Sequence, residues 1–157
     1  MTTDKKADHA GVVAFQPMLF GSTLLLGLVI SYVFPTPVLS TSIALCIGLV
    51  WFSVGVSTLL LAFRGMIHHK TTIHPKGATM AIVSNGLYRH TRNPMYISLT
   101  LIYIGVSIAT NAWWGLFLLI PLLLVVQKGI IEREEAYLTR KFGEEYLSYK
   151  AQVRRWL

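Results

Sequence analysis

The charged residues of this chain are confined to three blocks. Every Asp, Glu, Lys and Arg lies within residues 4–8, 64–92 or 128–155. The intervening stretches, 9–63 and 93–127, contain none of these residue types. A water-soluble domain does not partition charge in this way, because its amphipathic elements need polar residues at short intervals. Uncharged apolar runs of this length are typical of segments that cross a bilayer, and they predict an integral membrane protein.

Composition indicates a single apolar, basic domain. The chain has 157 residues, 54% of them apolar, and its 14 basic and 7 acidic side chains give a net charge of +7. In a soluble protein this excess would suggest nucleic acid. Here we interpret it as the charge of cytoplasmic loops that contact anionic lipid, and we expect no nucleic-acid partner. The single cysteine, Cys46, excludes an intrachain disulfide and a cysteine metal site.

Four apolar segments predict membrane helices. Lys5 and Lys6 precede the first segment as in a signal peptide, but the small-residue cleavage pattern is missing, so we interpret it as an uncleaved anchor. The third segment is short for a complete crossing, and Pro94 suits its first turn. The predicted fold is all-α, with transmembrane helices at 18–34, 38–63, 94–109 and 113–131, followed by cytoplasmic C-terminal amphipathic helices.

The basic residues predict the orientation of these helices. The N-terminal tail holds two, the 64–95 segment five and the C-terminal block seven, whereas the turns at 35–37 and 110–112 hold none. Four crossings place all three charged blocks on one side of the membrane. The positive-inside rule makes that side cytoplasmic, so both termini are expected there.

The segment before the third helix contains the first candidate site. Gly86 permits close approach of a ligand to the backbone. Arg92 and Asn93 lie at the N-terminal mouth of the helix that Pro94 begins, where free N–H groups and the helix dipole favour a carboxylate or another anion. The alternative is that Arg92 extends toward lipid phosphate without any further role.

The segment after the fourth helix contains the second candidate site. Glu132, Glu134 and Glu135 directly follow the apolar run, where carboxylates oppose the negative end of the helix dipole. Their partner is either an arginine in a structural ion pair or a ligand with an ammonium group or ribose hydroxyls. Further on, an apolar stripe interrupted by Gly143 predicts two amphipathic helices. We interpret their basic residues as facing lipid headgroups; these are Lys150, Arg154 and Arg155.

Together these segments resemble the isoprenylcysteine carboxyl methyltransferase family, which belongs to a larger group with the phospholipid N-methyltransferases. The residues that carry the resemblance are GLYRHTRNPMY at 86–96, a hydrophobic hairpin, and EEAYLTRKFGEEYLSYK at 134–150. Two departures are visible. Asn93 replaces the family's common His, as in bacterial-type members, which suggests a bacterial inner membrane. Gln152 stands where the enzymes that act on prenylated proteins have Arg, and Arg154 or Arg155 is the candidate replacement.

The resemblance implies a methyltransferase that uses S-adenosylmethionine, bound in a cytosol-facing pocket formed by 71–96, the hairpin base and 132–157. The whole chain is then one membrane methyltransferase domain, and the acceptor enters from the bilayer. Arg92, which would orient a carboxylate of acceptor or cofactor, and Glu135 are the predicted catalytic residues. The predicted cofactor-binding residues are His74, Gly86, Tyr88, Asn93, Pro94, Tyr96, Glu134 and Glu135.

The acceptor and two other function classes stay open. The acceptor is an isoprenylcysteine-like carboxylate, a phospholipid amine, a thiol or a hydroxyl; an amine needs a general base, for which His90 is the nearest candidate. A nicotinamide-dependent reductase related to the sterol reductases and a non-enzymatic membrane subunit are the alternatives. We expect no metal site, because the segment that holds His68, His69 and His74 supplies no carboxylate or cysteine.

Overall fold

The described residues of the two uncharged stretches lie mainly in four helices. The computed structural model describes residues 15–68 and 82–157, and in these ranges it contains helices and turns but no β-strand. This confirms the predicted all-α class. The four helices are α1 (Gln16–Val33), α2 (Thr41–His68), α3 (Pro94–Ala109) and α4 (Trp113–Val126).

Helix bounds follow the local chemistry. The third helix has the bounds that the sequence indicated, with Pro94 in its first turn, where its missing N–H costs no hydrogen bond. The first begins two residues earlier than expected, at Gln16. The second continues five residues past Phe63 to His68, because the long side chain of Arg64 can reach the polar boundary from inside a helix.

The fourth helix continues beyond its apolar part. After Val126 the chain makes a π-helical turn, Gln127–Ile131, and then forms α5 (Glu132–Phe142). The uninterrupted helix Trp113–Phe142 has 30 residues and is roughly 45 Å long, whereas the hydrocarbon core of a bilayer is about 30 Å thick. Since four consecutive charged residues begin at Glu132, we place α5 beyond the membrane span.

The C-terminal segment forms two helices, as predicted from Gly143. This glycine ends α5 with φ +54° and ψ −126°, and α6 (Glu144–Gln152) follows it. Such a conformation is essentially restricted to glycine.

In the described part of the chain, three helices are long and apolar enough to cross a membrane: Gln16–Val33, Thr41–Ile67 and Trp113–Phe142. The 16-residue α3 is a shorter apolar helix. These spans indicate a membrane protein.

The helices pack in two close pairs, α2 with α3 and α1 with α4. A Cβ added to Gly105 would lie 2.5 Å from the backbone nitrogen of Phe52, and one added to Gly27 would lie 2.6 Å from the Cα of Gly115. Small residues at these crossings let the backbones approach closely, which is how helices associate where no hydrophobic effect drives them together.

The two ends of the bundle differ in character. At one end lie the α1–α2 and α3–α4 connections. The side chain of Asn111 joins them through two hydrogen bonds with the backbone of Leu39, at 3.1 and 3.2 Å. Trp114 Nε1 there donates to the carbonyl of Phe34 at 3.1 Å. At the opposite end lie the start of α1, the start of α3 and all of α5, and this polar end contains the candidate site.

Candidate functional site

The two motif segments meet at the polar end of the bundle. Arg92 Nη1 lies 3.0 Å from Glu135 Oε1, and the Tyr96 hydroxyl donates to Glu134 Oε2 at 2.9 Å. Residues separated by about forty positions therefore form one cluster. The adjacent carboxylates Glu134 and Glu135 face different partners, and their surroundings are described in turn.

Glu135 is buried among three cations. Arg155 holds it with two hydrogen bonds, Nε to Oε1 at 2.8 Å and Nη2 to Oε2 at 2.9 Å, while Arg92 and Lys150 lie at ion-pair distance, 3.0 and 3.5 Å. Burial by itself raises the pKa of Glu135, but the Arg155 hydrogen bonds and the charges of Arg92, Arg155 and Lys150 outweigh it and hold the pKa below its ordinary value. Glu135 is therefore a carboxylate that stays ionised.

Arg92 keeps hydrogen-bonding capacity in this cluster. Its side chain is 9% exposed, and neither Nε nor Nη1 makes a hydrogen bond within the described residues. The contact of Nη1 with Glu135 is thus an ion pair without hydrogen-bond alignment. Buried donors without acceptors are costly, so these two nitrogens are suited to donate to an incoming anionic group.

Among the described residues, all hydrogen-bond partners of Glu134 are neutral. Gln16 Nε2 donates to Glu134 Oε1 at 3.1 Å and to the Tyr96 hydroxyl at 2.9 Å, and Tyr96 donates to the other carboxylate oxygen. Burial raises the pKa of Glu134 to about 7, against the lowering effect of the hydrogen bonds from Tyr96 and Gln16. A half-buried carboxylate without a cation is suited to an ammonium group or to hydroxyls.

The C-terminal segment is fixed across the start of α3. The backbone N–H of Arg92 donates to the carbonyl of Arg154 at 2.9 Å, and the carbonyl of Arg155 accepts from Asn93 Nδ2 at 2.9 Å and Thr91 Oγ1 at 3.2 Å. These bonds bring the Arg155 side chain to Glu135. They also occupy the Asn93 amide, so Asn93 holds the chain terminus in addition to any contact with a ligand.

The other predicted residues lie around this cluster. Gly86 begins a 3₁₀ turn, Gly86–Arg89, with φ +61°, and a Cβ there would meet nothing within 4 Å. The carbonyl of Tyr88 accepts from the Tyr149 hydroxyl at 2.7 Å. Pro94 is buried at the start of α3. His74 lies outside the described residues, and His90, the candidate base, is exposed at the end of the turn.

An apolar groove opens beside this end of the bundle. Its volume is about 340 Å³, and its lining includes Ile97, Leu101, Leu123, Leu124, Gln127 and Trp156. Trp156 Nε1 donates to Gln127 Oε1 at 3.2 Å. Gln127 begins the π-helical turn, a distortion that often occurs at functional sites.

Comparison with known proteins identifies the family. The model of the family described as "Phospholipid methyltransferase" matches residues 43–145, about two thirds of the chain. The chain belongs to the phospholipid methyltransferase family. The resemblance drawn from the motifs is therefore confirmed at this level, and together with the span-length helices it makes the protein a membrane methyltransferase of lipid-type substrates.

Two further comparisons add no function. A protein of Haemophilus influenzae described as "Uncharacterized protein" is 46% identical over 66 residues, which are 40% of this chain and all of the relative. No solved structure matches.

The phospholipid methyltransferase match includes Arg92, Glu134 and Glu135 but neither Gln16 nor Arg155. Sequence reasoning missed Gln16, which carries no motif and only marks the polar start of an apolar run. It also assigned Lys150 and Arg155 to lipid headgroups, and this was wrong, because both pair with Glu135. Arg154 is exposed, and its predicted contact with lipid headgroups stays a prediction. One signal in the sequence pointed to Arg155: Gln152 occupies the position of the family's C-terminal arginine, and Arg155 was a candidate to replace that arginine.

Proposed function

We propose that the protein transfers a methyl group from S-adenosylmethionine to a lipophilic acceptor, with isoprenylcysteine carboxyl methyltransferase-like chemistry. The observation that carries the proposal is the meeting of the two motif segments at one end of the bundle, through Arg92 with Glu135 at 3.0 Å and Tyr96 with Glu134 at 2.9 Å. In this proposal the chain is one catalytic domain, and the polar end faces the cytoplasm.

The residues present fit the cofactor. Arg92 has two buried nitrogens, Nε and Nη1, without hydrogen-bond acceptors among the described residues, which suits the carboxylate in the methionine part of the cofactor. Glu134 has no cationic partner in the same ranges, which suits the ammonium group. The space beside Gly86 lets a ligand approach the backbone.

When bound, S-adenosylmethionine supplies an activated methyl group. The tasks left to this chain are to orient the two reactants and to exclude water. Arg92 would orient a carboxylate, Glu134 would bind an ammonium or hydroxyl group, and the backbone near Gly86 and Tyr88 would contact the cofactor. Glu135 would act through Arg92, since its own oxygens are already bound to cations.

The charged groups of the site balance, with three cations, Arg92, Lys150 and Arg155, beside three carboxylates, Glu132, Glu134 and Glu135. The support for a lipophilic acceptor comes from a different feature. The apolar groove beside Trp156 suits an isoprenyl or acyl chain. A phospholipid amine and a thiol are the alternative acceptors.

Calorimetry on the full-length protein in detergent tests the cofactor assignment. We expect S-adenosylhomocysteine to bind, and Arg92→Ala and Glu134→Gln to weaken binding by about tenfold or more, as for loss of a charge-assisted hydrogen bond. Arg154→Ala, which removes an exposed guanidinium from the same end, is the matched control and should bind normally. Variants are compared only if their thermal unfolding is unchanged. Absence of binding by the wild type would refute the proposal.

A radiolabelled methyl-transfer screen then tests the acceptor. Incorporation into a prenylcysteine carboxylate supports the proposed chemistry, whereas incorporation into a phospholipid amine or a small thiol identifies the alternative. Reduced nicotinamide binding in place of S-adenosylhomocysteine would indicate a reductase.

A non-enzymatic membrane subunit is the second candidate, since the Arg92–Glu135 ion pair is also the contact that a purely structural role predicts. That candidate predicts no nucleotide binding. It also predicts that Arg92→Ala lowers stability as its main effect.

A further inference from the structure

The first helix contributes a side chain to the candidate site although it lies outside the family match. Gln16, in the first turn of α1, donates both amide hydrogens inward, to Glu134 Oε1 at 3.1 Å and to the Tyr96 hydroxyl at 2.9 Å. Tyr96 in turn donates to Glu134 Oε2 at 2.9 Å. The three side chains come from α1, α3 and α5, and each is hydrogen-bonded to the other two, so that they form a closed triangle.

This triangle controls the charge of Glu134. Each carboxylate oxygen accepts one hydrogen bond from a neutral donor, and such bonds favour the ionised form. Burial acts in the opposite direction and raises the pKa to about 7. Within residues 15–68 and 82–157, the titratable groups that face Glu134 are Tyr96 and, from the 3₁₀ turn, Tyr88. Lys150 of α6 pairs with Glu135 instead. Gln16 and Tyr96 are thus the groups that favour the ionised form of Glu134 against the effect of burial.

An apolar residue at position 16 would leave Glu134 Oε1 without this donor. A buried carboxylate oxygen without a hydrogen bond is costly, and the carboxylate relieves the cost by taking up a proton. A protonated Glu134 can no longer attract a cation.

We propose that Gln16 is a positioning residue of the cofactor site, which orients Glu134 and favours its ionised form so that it receives the ammonium group of the bound nucleotide. The inference rests on the proposed function, and it makes α1 a component of the site in addition to a membrane anchor.

Proton-linked calorimetry tests the inference. S-adenosylhomocysteine is titrated into full-length protein at pH 7 and pH 9, in buffers of different ionisation enthalpy, to give the affinity and the protons released. With a Glu134 pKa of about 7, its ionisation on binding releases about half a proton at pH 7. The Glu134→Gln variant should not release this half proton, whereas the amine of the ligand titrates alike in every variant.

Gln16→Leu should produce a pH-dependent defect. Loss of one hydrogen bond to a carboxylate raises its pKa by about one unit. Binding is then about fivefold weaker at pH 7, with about nine-tenths of a proton released, and it recovers to within about twofold at pH 9. Tyr96→Phe, which deletes the donor to Glu134 Oε2 and also the acceptor of the second Gln16 hydrogen bond, should show the same pH-selective loss. Thr23→Val is the matched control, because Thr23 lies in the same helix and its hydroxyl donates to the carbonyl of Leu19.

The outcomes are distinguishable. An equal loss of affinity at both pH values in Gln16→Leu and in Tyr96→Phe would indicate a packing role and overturn the inference, while the proposed function would stand. Unchanged proton release in Glu134→Gln would overturn it too. Failure of the wild type to bind the nucleotide would refute the proposed function, and the inference with it.

Discussion

Arg155, two residues from the end of the chain, binds the buried carboxylate of Glu135 through two parallel hydrogen bonds of 2.8 and 2.9 Å. The C-terminal residues are therefore part of the site. The backbone N–H of Arg92 and the side chains of Thr91 and Asn93 donate to the carbonyls of Arg154 and Arg155, and these hydrogen bonds fix the geometry of the contact.

Removal of this guanidinium should destabilise the protein. In Arg155→Ala, Glu135 keeps Arg92 and Lys150 at ion-pair distance but loses both hydrogen bonds, and we expect a loss of about 2 kcal/mol in the free energy of unfolding. Arg155→Lys should lie in between, because lysine cannot bind a carboxylate in a bidentate fork. Denaturant or thermal unfolding in detergent measures the effect. Arg154→Ala is the control, and a loss there equal to that in Arg155→Ala would contradict the assignment.

Glu135 should make stability dependent on acidic pH. Its pKa in the folded protein is lower than the ordinary 4.5, so it stabilises the fold above pH 4.5, and this contribution is lost as pH falls through the lowered pKa. Unfolding midpoints measured between about pH 6 and 3 should therefore fall less steeply in Glu135→Gln than in the wild type.

The matched control for this pH dependence is Glu144→Gln, since Glu144 is an exposed carboxylate in the first turn of α6. Its variant should keep the wild-type slope. Identical slopes in the wild type and Glu135→Gln would show that Glu135 is not held ionised by its partners.

The close approach of α2 and α3 should not tolerate a methyl group. Gly105→Ala would place its Cβ 2.5 Å from the backbone nitrogen of Phe52, and we expect a loss of about 2 kcal/mol or more, because neither backbone can move alone. Gly21→Ala adds the same methyl group in α1, where it meets nothing within 4 Å. That variant should be neutral or gain up to about 1 kcal/mol from helix propensity. Unfolding in detergent compares the two, and equal effects would contradict this packing.

The sequence predicted the helices well because charge and apolarity are partitioned so sharply. The uncharged stretches placed four helices, and Pro94 and Gly143 marked the start of α3 and the break after α5 through backbone chemistry alone. The motif residues indicated that 86–96 and 134–135 belong to one site. Such signals are local, or are carried by the family pattern.

The remaining site residues depend on contacts that no local signal encodes. Gln16 reaches Glu134 across 118 positions, and nothing in the first helix distinguishes it from a polar cap. Arg155 and Lys150 carry the composition of a lipid-facing amphipathic helix, and only the packing of the C-terminal segment against residues 91–93 turns them toward Glu135.

The π-helical turn Gln127–Ile131 determines where the carboxylate pair points. Buried positions follow one another as Leu122, Val126 and Ile130, and then shift by one to Ile131 and Glu135. A widened turn adds roughly one residue, about 100° of rotation, without breaking the rod. The part of this helix inside the membrane can thus keep its packing partners while α5 has a different rotation about the helix axis. A single inserted or deleted residue in the turn can therefore change the direction in which the carboxylates point.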